Sequence, residues 1–353
     1  MNEVAGKRYV PILRSRDAEI RAYAELSGSV KDALLPVVEY TKSRRTKKNT
    51  EGSVSVCVSK IEEHLAGRSY IADVTTMDSL SNAETAMLLD ADNGFRNWRA
   101  FVLSSLNSAC IPTVHLTDPF DERSVLVQCK AFLNRSTHIA FRIPVDYDST
   151  SRLVDVLKRE LGGLEQVILI CDGGYVSKST YAAALADSKQ TLVAAGAGFA
   201  LRAVACSSFP KSVVLPDYGG DEYGKFELLE VKLSEDVRAE HGLGDVVHGD
   251  YALVHPEDFK GIVTSWVPRV DVPLDQTLFY HRYRRPNGGY DLAADKAFHD
   301  PDYVALDCWG HENIKSAAGG AVQGRSPAHW ISVRINFHLS RQSNRIELAY
   351  LLR

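Results

Sequence analysis

Six short apolar runs rich in valine and isoleucine recur along the chain: LLPVVEY (34–40), SYIADVT (69–75), CIPTVHL (110–116), HIAFRIP (138–144), QVILICDGG (166–174) and LRAVACSSF (201–209). None alternates strictly between apolar and polar positions. That absence is the signature of parallel strands covered on both faces, not of a sheet with one wet side. Between the runs lie stretches with helical spacing, SVSVCVSKIEEHLAG (53–67), NWRAFVLSSLNSA (97–109), RSVLVQCKAFLN (123–134) and STSRLVDVLKREL (149–161). Strand and helix take turns, which predicts repeated βα units.

A polar residue near the end of each run supplies a ruler. Glu39, Asp73, His115, Arg142, Asp172 and Ser207 are separated by 34, 42, 27, 30 and 35 residues. A (β/α)8 barrel of about 250 residues spaces its units by roughly 31. VVHGDYALVH (246–255) and TLFYHRYRR (277–285) are the best seventh and eighth strands. An open doubly wound sheet competes, but it calls for a glycine-rich turn after its first strand, and Gly196 and Gly198 precede a strand instead. The expected architecture is a TIM-like (β/α)8 barrel over residues 1–289, with residues 290–353 packed across it as a C-terminal cap.

In such a barrel the site is built from the carboxyl ends of the strands and the loops that follow them. Glu39, Asp73, His115, Arg142 and Asp172 therefore belong in one pocket and are the catalytic candidates. Clustered carboxylates can hold a divalent cation, Mg or Mn, or shift one another's pKa for acid and base work. An arginine among them can stabilise charge on phosphoryl oxygens. The stretch KSRRTKKNT after the first run carries five basic residues in seven positions, and RYRRPNGG follows the last. Barrel closure would make these two loops neighbours, gathering Arg44 and Arg45 with Arg282 and Arg284 into an anion trap. Arginine forks suit phosphate oxygens, and the interleaved Tyr280, His281 and Tyr283 suit stacking on a base. Asp250 and Tyr251 complete the candidate ligand-binding set. The structural alternatives are plain: basic runs are most often solvated loops, and a Gly-Asp-Tyr triplet is first of all a turn signal.

Charge sharpens this picture, because a net charge of −4 gives no overall pull toward nucleic acid or an anionic membrane, so polyanion contact must come from local clusters. Six scattered cysteines without a CxxC read as free structural thiols. No charged and apolar leader and no apolar run of about 18 residues occurs, which predicts a cytoplasmic chain without a membrane span. In the tail, His311, Glu312, His329 and His338 have spacings that match no familiar metal site.

The opening YVPILRSRDAEIRAYAELSGSVKDALLPVVEY, the later HGDYALVHPED and FYHRYRR, and the closing GRSPAHWISVRINFHLSRQ resemble the phage and bacterial beta protein family. Trp330 and His338 look like the family's closing tryptophan and histidine, although Phe337 stands where the family often has a second histidine. The resemblance spans most of the chain. It implies a setting of phage and host conflict and carries no reaction. Two classes of function follow: a metal-assisted phosphoesterase acting on a nucleotide or nucleic acid, or a non-catalytic barrel that binds a nucleotide, a phage protein or a host protein.

Overall fold

The computed structural model describes residues 4–214, 218–258 and 266–352. Barrel strands form at β1 (Tyr9–Arg14), β2 (Val37–Tyr40), β3 (Tyr70–Val74), β4 (Cys110–Pro112), β5 (Ile139–Pro144), β6 (Val167–Tyr175) and β7 (Leu201–Ser207); β8 (Tyr223–Glu227) lies outside the barrel, and β9 (Val247–Asp250) returns to it. All neighbours are parallel, in the order β4-β3-β2-β1-β9-β7-β6-β5. The two edges meet where Thr113 bridges Ala140 and Val114 N donates to Ala140 O at 2.8 Å. The sheet is thus a TIM-like (β/α)8 barrel, as the spacing predicts.

Helices cover its outside: α1 (Asp17–Ala24) and α2 (Gly28–Ala33), α3 (Val54–Leu65), α4 (Ala83–Leu88) and α5 (Asp92–Ser105), α6 (Glu122–Leu133), α7 (Thr150–Leu161), α8 (Tyr181–Ala195) and α9 (Leu229–Arg238). Their inward stripes, such as Leu153, Val154 and Leu157 on α7, pack on the outward strand residues in one large core. A separate interior core holds Val10, Ile12, Val37, Ile71, Ile111, Ala140, Ile168, Ile170, Ala203 and Ala205. The six cysteines are free, five of them buried. No helix among the described residues is long and apolar enough to cross a membrane.

Two strand assignments need correction. The first barrel strand is Tyr9–Arg14, so Val37–Tyr40 is the second and Val247–Asp250 the eighth. Pro11 hides the first strand, because proline within an apolar run argues against a central strand. The run at 277–285 is not in the barrel. Its strand β11 (Thr277–Arg282) pairs antiparallel with β10 (Arg269–Pro273) and with β8. It mimics a barrel strand because both its faces are covered: Phe279 enters one core with Val270, Tyr290 and Phe337, while Leu278 and Tyr280 enter another with Phe209 and Phe226.

Three C-terminal helices, α10 (Gly289–Phe298), α11 (Trp309–Ala318) and α12 (Pro327–Leu351), pack with this small sheet. Ser326 caps α12 by accepting from His329 N, with Pro327 in the first turn. From His329 to Ser343 this helix is buried almost without interruption. Asn336 Nδ2 donates to Ala22 O of α1 at 3.0 Å, and Arg334 Nη1 meets Asp271 Oδ2 of β10 at 3.0 Å. The helix therefore joins barrel and small sheet.

Candidate functional site at the barrel mouth

Strand periodicity decides what the barrel interior holds, because successive side chains alternate between the two faces. Following the interior residues toward the carboxyl ends, each strand changes from apolar to polar at one level. Ile12 gives way to Arg14, Val37 to Glu39, Ile71 to Asp73, Ile111 to Thr113, Ala140 to Arg142, Ile170 to Asp172 and Ala205 to Ser207. On β9 the interior positions are Gly249 and then Tyr251. A Cβ on Gly249 would lie 2.9 Å from Ala205 Cβ, so the narrow interior excludes a larger residue there.

The polar layer is a single bonded network around Arg142. Its Nη1 donates to Glu39 Oε1 at 2.6 Å and Asp73 Oδ2 at 2.9 Å, and its Nε donates to Asp172 Oδ2 at 2.7 Å. Nη2 donates to the Tyr251 hydroxyl at 2.7 Å, which itself donates to Asp172 Oδ2 at 2.6 Å. Arg14 adds a second guanidinium, with Nε 3.3 Å from Glu39 Oε2 and Nη1 bonded to His255 O. Burial opposes the charge on Arg142, but Tyr251, Asp172, Glu39 and Asp73 outweigh it and push its pKa up. Burial also raises the Tyr251 hydroxyl, so it stays protonated as a donor. Three carboxylates held by two guanidinium groups form a tightly bonded layer that keeps one formal negative charge in excess.

His115 stands beside this layer, its Nδ1 3.9 Å from Asp73 Oδ1. Burial lowers its pKa, against the pull of Asp73, so the imidazole is neutral at neutral pH. Above the layer opens a cleft of about 950 Å³ lined by the loops after β3, β4, β5 and β6. Asp73, Asp118, Asp146, Asp148 and Asp172 line it, with Arg142 as the one lysine or arginine among its lining residues. The cleft is acidic.

All five catalytic candidates, Glu39, Asp73, His115, Arg142 and Asp172, meet at this mouth, and Tyr251 joins them. The other ligand candidates do not. Asp250 lies on the outer face of β9 and is fully buried, because it is one residue out of phase with Tyr251; it accepts from Tyr9 Oη at 2.9 Å and from His338 Nε2 at 2.8 Å. His281 is held by Asp300 at 2.9 Å in the small sheet. Arg282 pairs with Asp221, and Arg284 lies 3.9 Å from the same carboxylate. Since β11 is not a barrel strand, barrel closure does not bring the two basic loops together as expected. Arg44 and Arg45 are exposed on the loop after β2, with Arg45 4.0 Å from Glu51. That loop leans on the one after β3: Lys42 N and Nζ each donate at 2.9 Å, to Leu80 O and Ser81 O.

The sequence reading missed Arg14, which ends the uncounted strand, and Thr113. It also missed Asp118, Asp146 and Asp148, which read as turn and cap residues. In the tail, His311 Nδ1 bonds Tyr303 while His338 bonds Asp250. A divalent cation does not fit the residues present: Glu39, Asp73 and Asp172 are each already bonded to Arg142, and among the described residues no group of three or more His, Cys, Asp or Glu is arranged to hold a metal ion.

With this geometry in hand, two comparisons bear on the chain. A family model described as Beta protein matches residues 9–344. Protein beta of Enterobacteria phage P4 is 30% identical over 350 residues, covering 98% of this chain and 94% of the relative.

Proposed function

The chain belongs to the Beta protein family, and from that premise we propose that it is a recognition barrel, binding a phosphate-bearing small molecule or nucleic acid end at its carboxyl mouth. The phosphate would rest on the exposed Arg44, Arg45, Lys47 and Lys48, and the remainder of the ligand would enter the cleft. The observation that carries this reading is the placement of a basic loop against the loop after β3, which itself lends Thr76 to the cleft wall. Arginine and lysine exposed on a rim attract phosphate without being consumed by buried partners. A phage relative agrees with a role in phage and host conflict.

A hydrolytic reading has one observation in its favour. His115 is neutral and its Nε2 has no protein partner, as a general base for a water would require. Against it, Arg142 is committed to three carboxylates and has little left for phosphoryl oxygens. Recognition is therefore the better supported of the two.

Titrating the full chain with AMP, ATP and a short single-stranded oligonucleotide at several salt concentrations tests both readings. Binding that weakens steadily as salt rises is expected. No binding to any of the three would end the recognition reading, and phosphate release that His115→Gln abolishes would promote the hydrolytic one.

A further inference from the structure

We propose that the floor of the cleft is built to receive N–H donors, so that the part of the ligand entering it is a planar group bearing an amidine or an exocyclic amino group. This rests on the reading of the mouth as the binding site and adds the chemistry of the buried end.

Two buried side-chain atoms carry the proposal. Thr113 Oγ1 and His115 Nε2 lack a protein partner, and both residues line the cleft. Thr113 is 2% exposed and the His115 side chain 10%. They stand two residues apart just beyond β4, where the His115 ring packs on Phe95 and Trp98 with Nδ1 3.9 Å from Asp73 Oδ1. Buried polar atoms left without partners cost free energy unless something else bonds them.

What they would bond follows from the imidazole's proton. A neutral imidazole has one N–H and one lone pair. Asp73 Oδ1 faces Nδ1 at 3.9 Å and favours the proton there, which leaves Nε2 as an acceptor. The hydroxyl of Thr113 can accept as well. Asp73 and Asp172 add further acceptors, and Asp118, Asp146 and Asp148 extend the negative field outward. The one cation of the wall, Arg142, is already engaged. An anion or a carbonyl oxygen would meet lone pairs on nearly every side. A group rich in N–H would meet partners. Phe95, Phe120 and Tyr147 also line the cleft and suit a flat ligand.

Benzamidine, benzamide and benzoate share a ring and differ in charge and N–H count, which makes them suitable probes. Isothermal titration of the full chain is expected to rank benzamidine first and benzoate last. Thr113→Val and His115→Phe should each weaken benzamidine binding by roughly tenfold. Nitrogen NMR of the histidine rings gives a readout that does not depend on a variant folding: in the free protein Nε2 of His115 should be unprotonated, and its signal should move when benzamidine is added. Absent benzamidine binding, benzoate binding as tightly as benzamidine, an unaffected Thr113→Val, or a proton on Nε2 would each overturn the proposal. The two readings fail separately. A chain that binds benzamidine but no nucleotide keeps this inference and loses the phosphate reading, whereas one that binds nucleotides and rejects benzamidine does the reverse.

Discussion

Two buried carboxylate networks occupy opposite faces of the same barrel wall. On the inner face Glu39, Asp73 and Asp172 surround Arg142. On the outer face Asp250 accepts from Tyr9, His248 and His338, with Ala252 N closing the ring at 2.8 Å. The inner network sets three carboxylates against arginine, and the outer one sets a single carboxylate against two histidines. Yet both are buried and internally bonded, so bonding alone does not separate a candidate site from a structural clamp. Access does. The inner network borders a cleft with Thr113 and His115 waiting at its floor; no member of the outer cluster lines that cleft, although His338 Nδ1 also lacks a partner.

The outer cluster joins distant parts of the chain: Tyr9 on β1, His248 and Asp250 on β9, His338 on α12. These are the segments by which the chain resembles its family, the opening stretch, the HGDY run and the closing helix. The same stretches also supply Arg14, Glu39 and Tyr251 to the inner layer, so the segments that resemble the family build both networks.

Removing Arg142 should have the largest effect. Arg142→Met leaves Glu39, Asp73 and Asp172 facing one another in a buried layer, and a buried charge stripped of its partner typically costs about 3–5 kcal/mol. Urea unfolding at pH 7 measures this. The deficit should shrink on acidification as the carboxylates take up protons, and a cost below about 1 kcal/mol would mean that the layer is solvated instead of locked.

His338→Phe tests the other face and should cost about 2–3 kcal/mol, because Asp250 loses its closest imidazole. Benzamidine and nucleotide binding should stay at parent levels. Altered ligand binding with unchanged stability would dissolve the division between clamp and site.

Glu19 gives a pH signature smaller again. It is buried, accepts from Arg14 N at 2.6 Å, and burial raises its pKa to about 7, against the pull of Arg14. Its contribution to stability is full below the unfolded value of 4.5 and is lost as pH rises through about 7. Burial lowers the pKa of His115, His248, His255 and His329, which works in the opposite sense: their contribution is full above 6.5 and is lost as pH falls through their lowered values. Glu19→Gln removes only the first, so the variant should gain about 2 kcal/mol on the parent between pH 5 and pH 8. An unchanged difference across that range would place the Glu19 carboxyl in contact with water.

Much of the mouth was legible because its five polar residues each end an apolar run, and a parallel barrel turns strand ends into neighbours. The spacing from Glu39 to Ser207 sufficed for that. Two things were not legible. Pro11 concealed the first strand, and with it Arg14. The strand Thr277–Arg282 passed for a barrel strand because a small sheet sandwiched between two cores shows the same apolar run as a barrel wall. From that single miscount came the misplaced partnership of the two basic loops, and a one-residue shift of phase separated Asp250 from Tyr251.

The rim should respond least in stability and most selectively in binding. Arg44, Arg45, Lys47 and Lys48 are exposed, and exposed charges remote from caps and cores usually change stability by no more than about 0.5 kcal/mol when replaced. Their fourfold replacement by alanine removes like charges crowded within a Debye length of about 8 Å, which offsets any lost contact with Glu51. The melting curve should therefore overlay that of the parent. Nucleotide affinity should fall, and its salt dependence should flatten, since fewer phosphates are neutralised by the rim. Benzamidine, which needs only the cleft floor, should bind as before. If the fourfold variant keeps the parent's nucleotide affinity and salt slope, the loop is solubilising charge, and the phosphate must be sought elsewhere on the barrel.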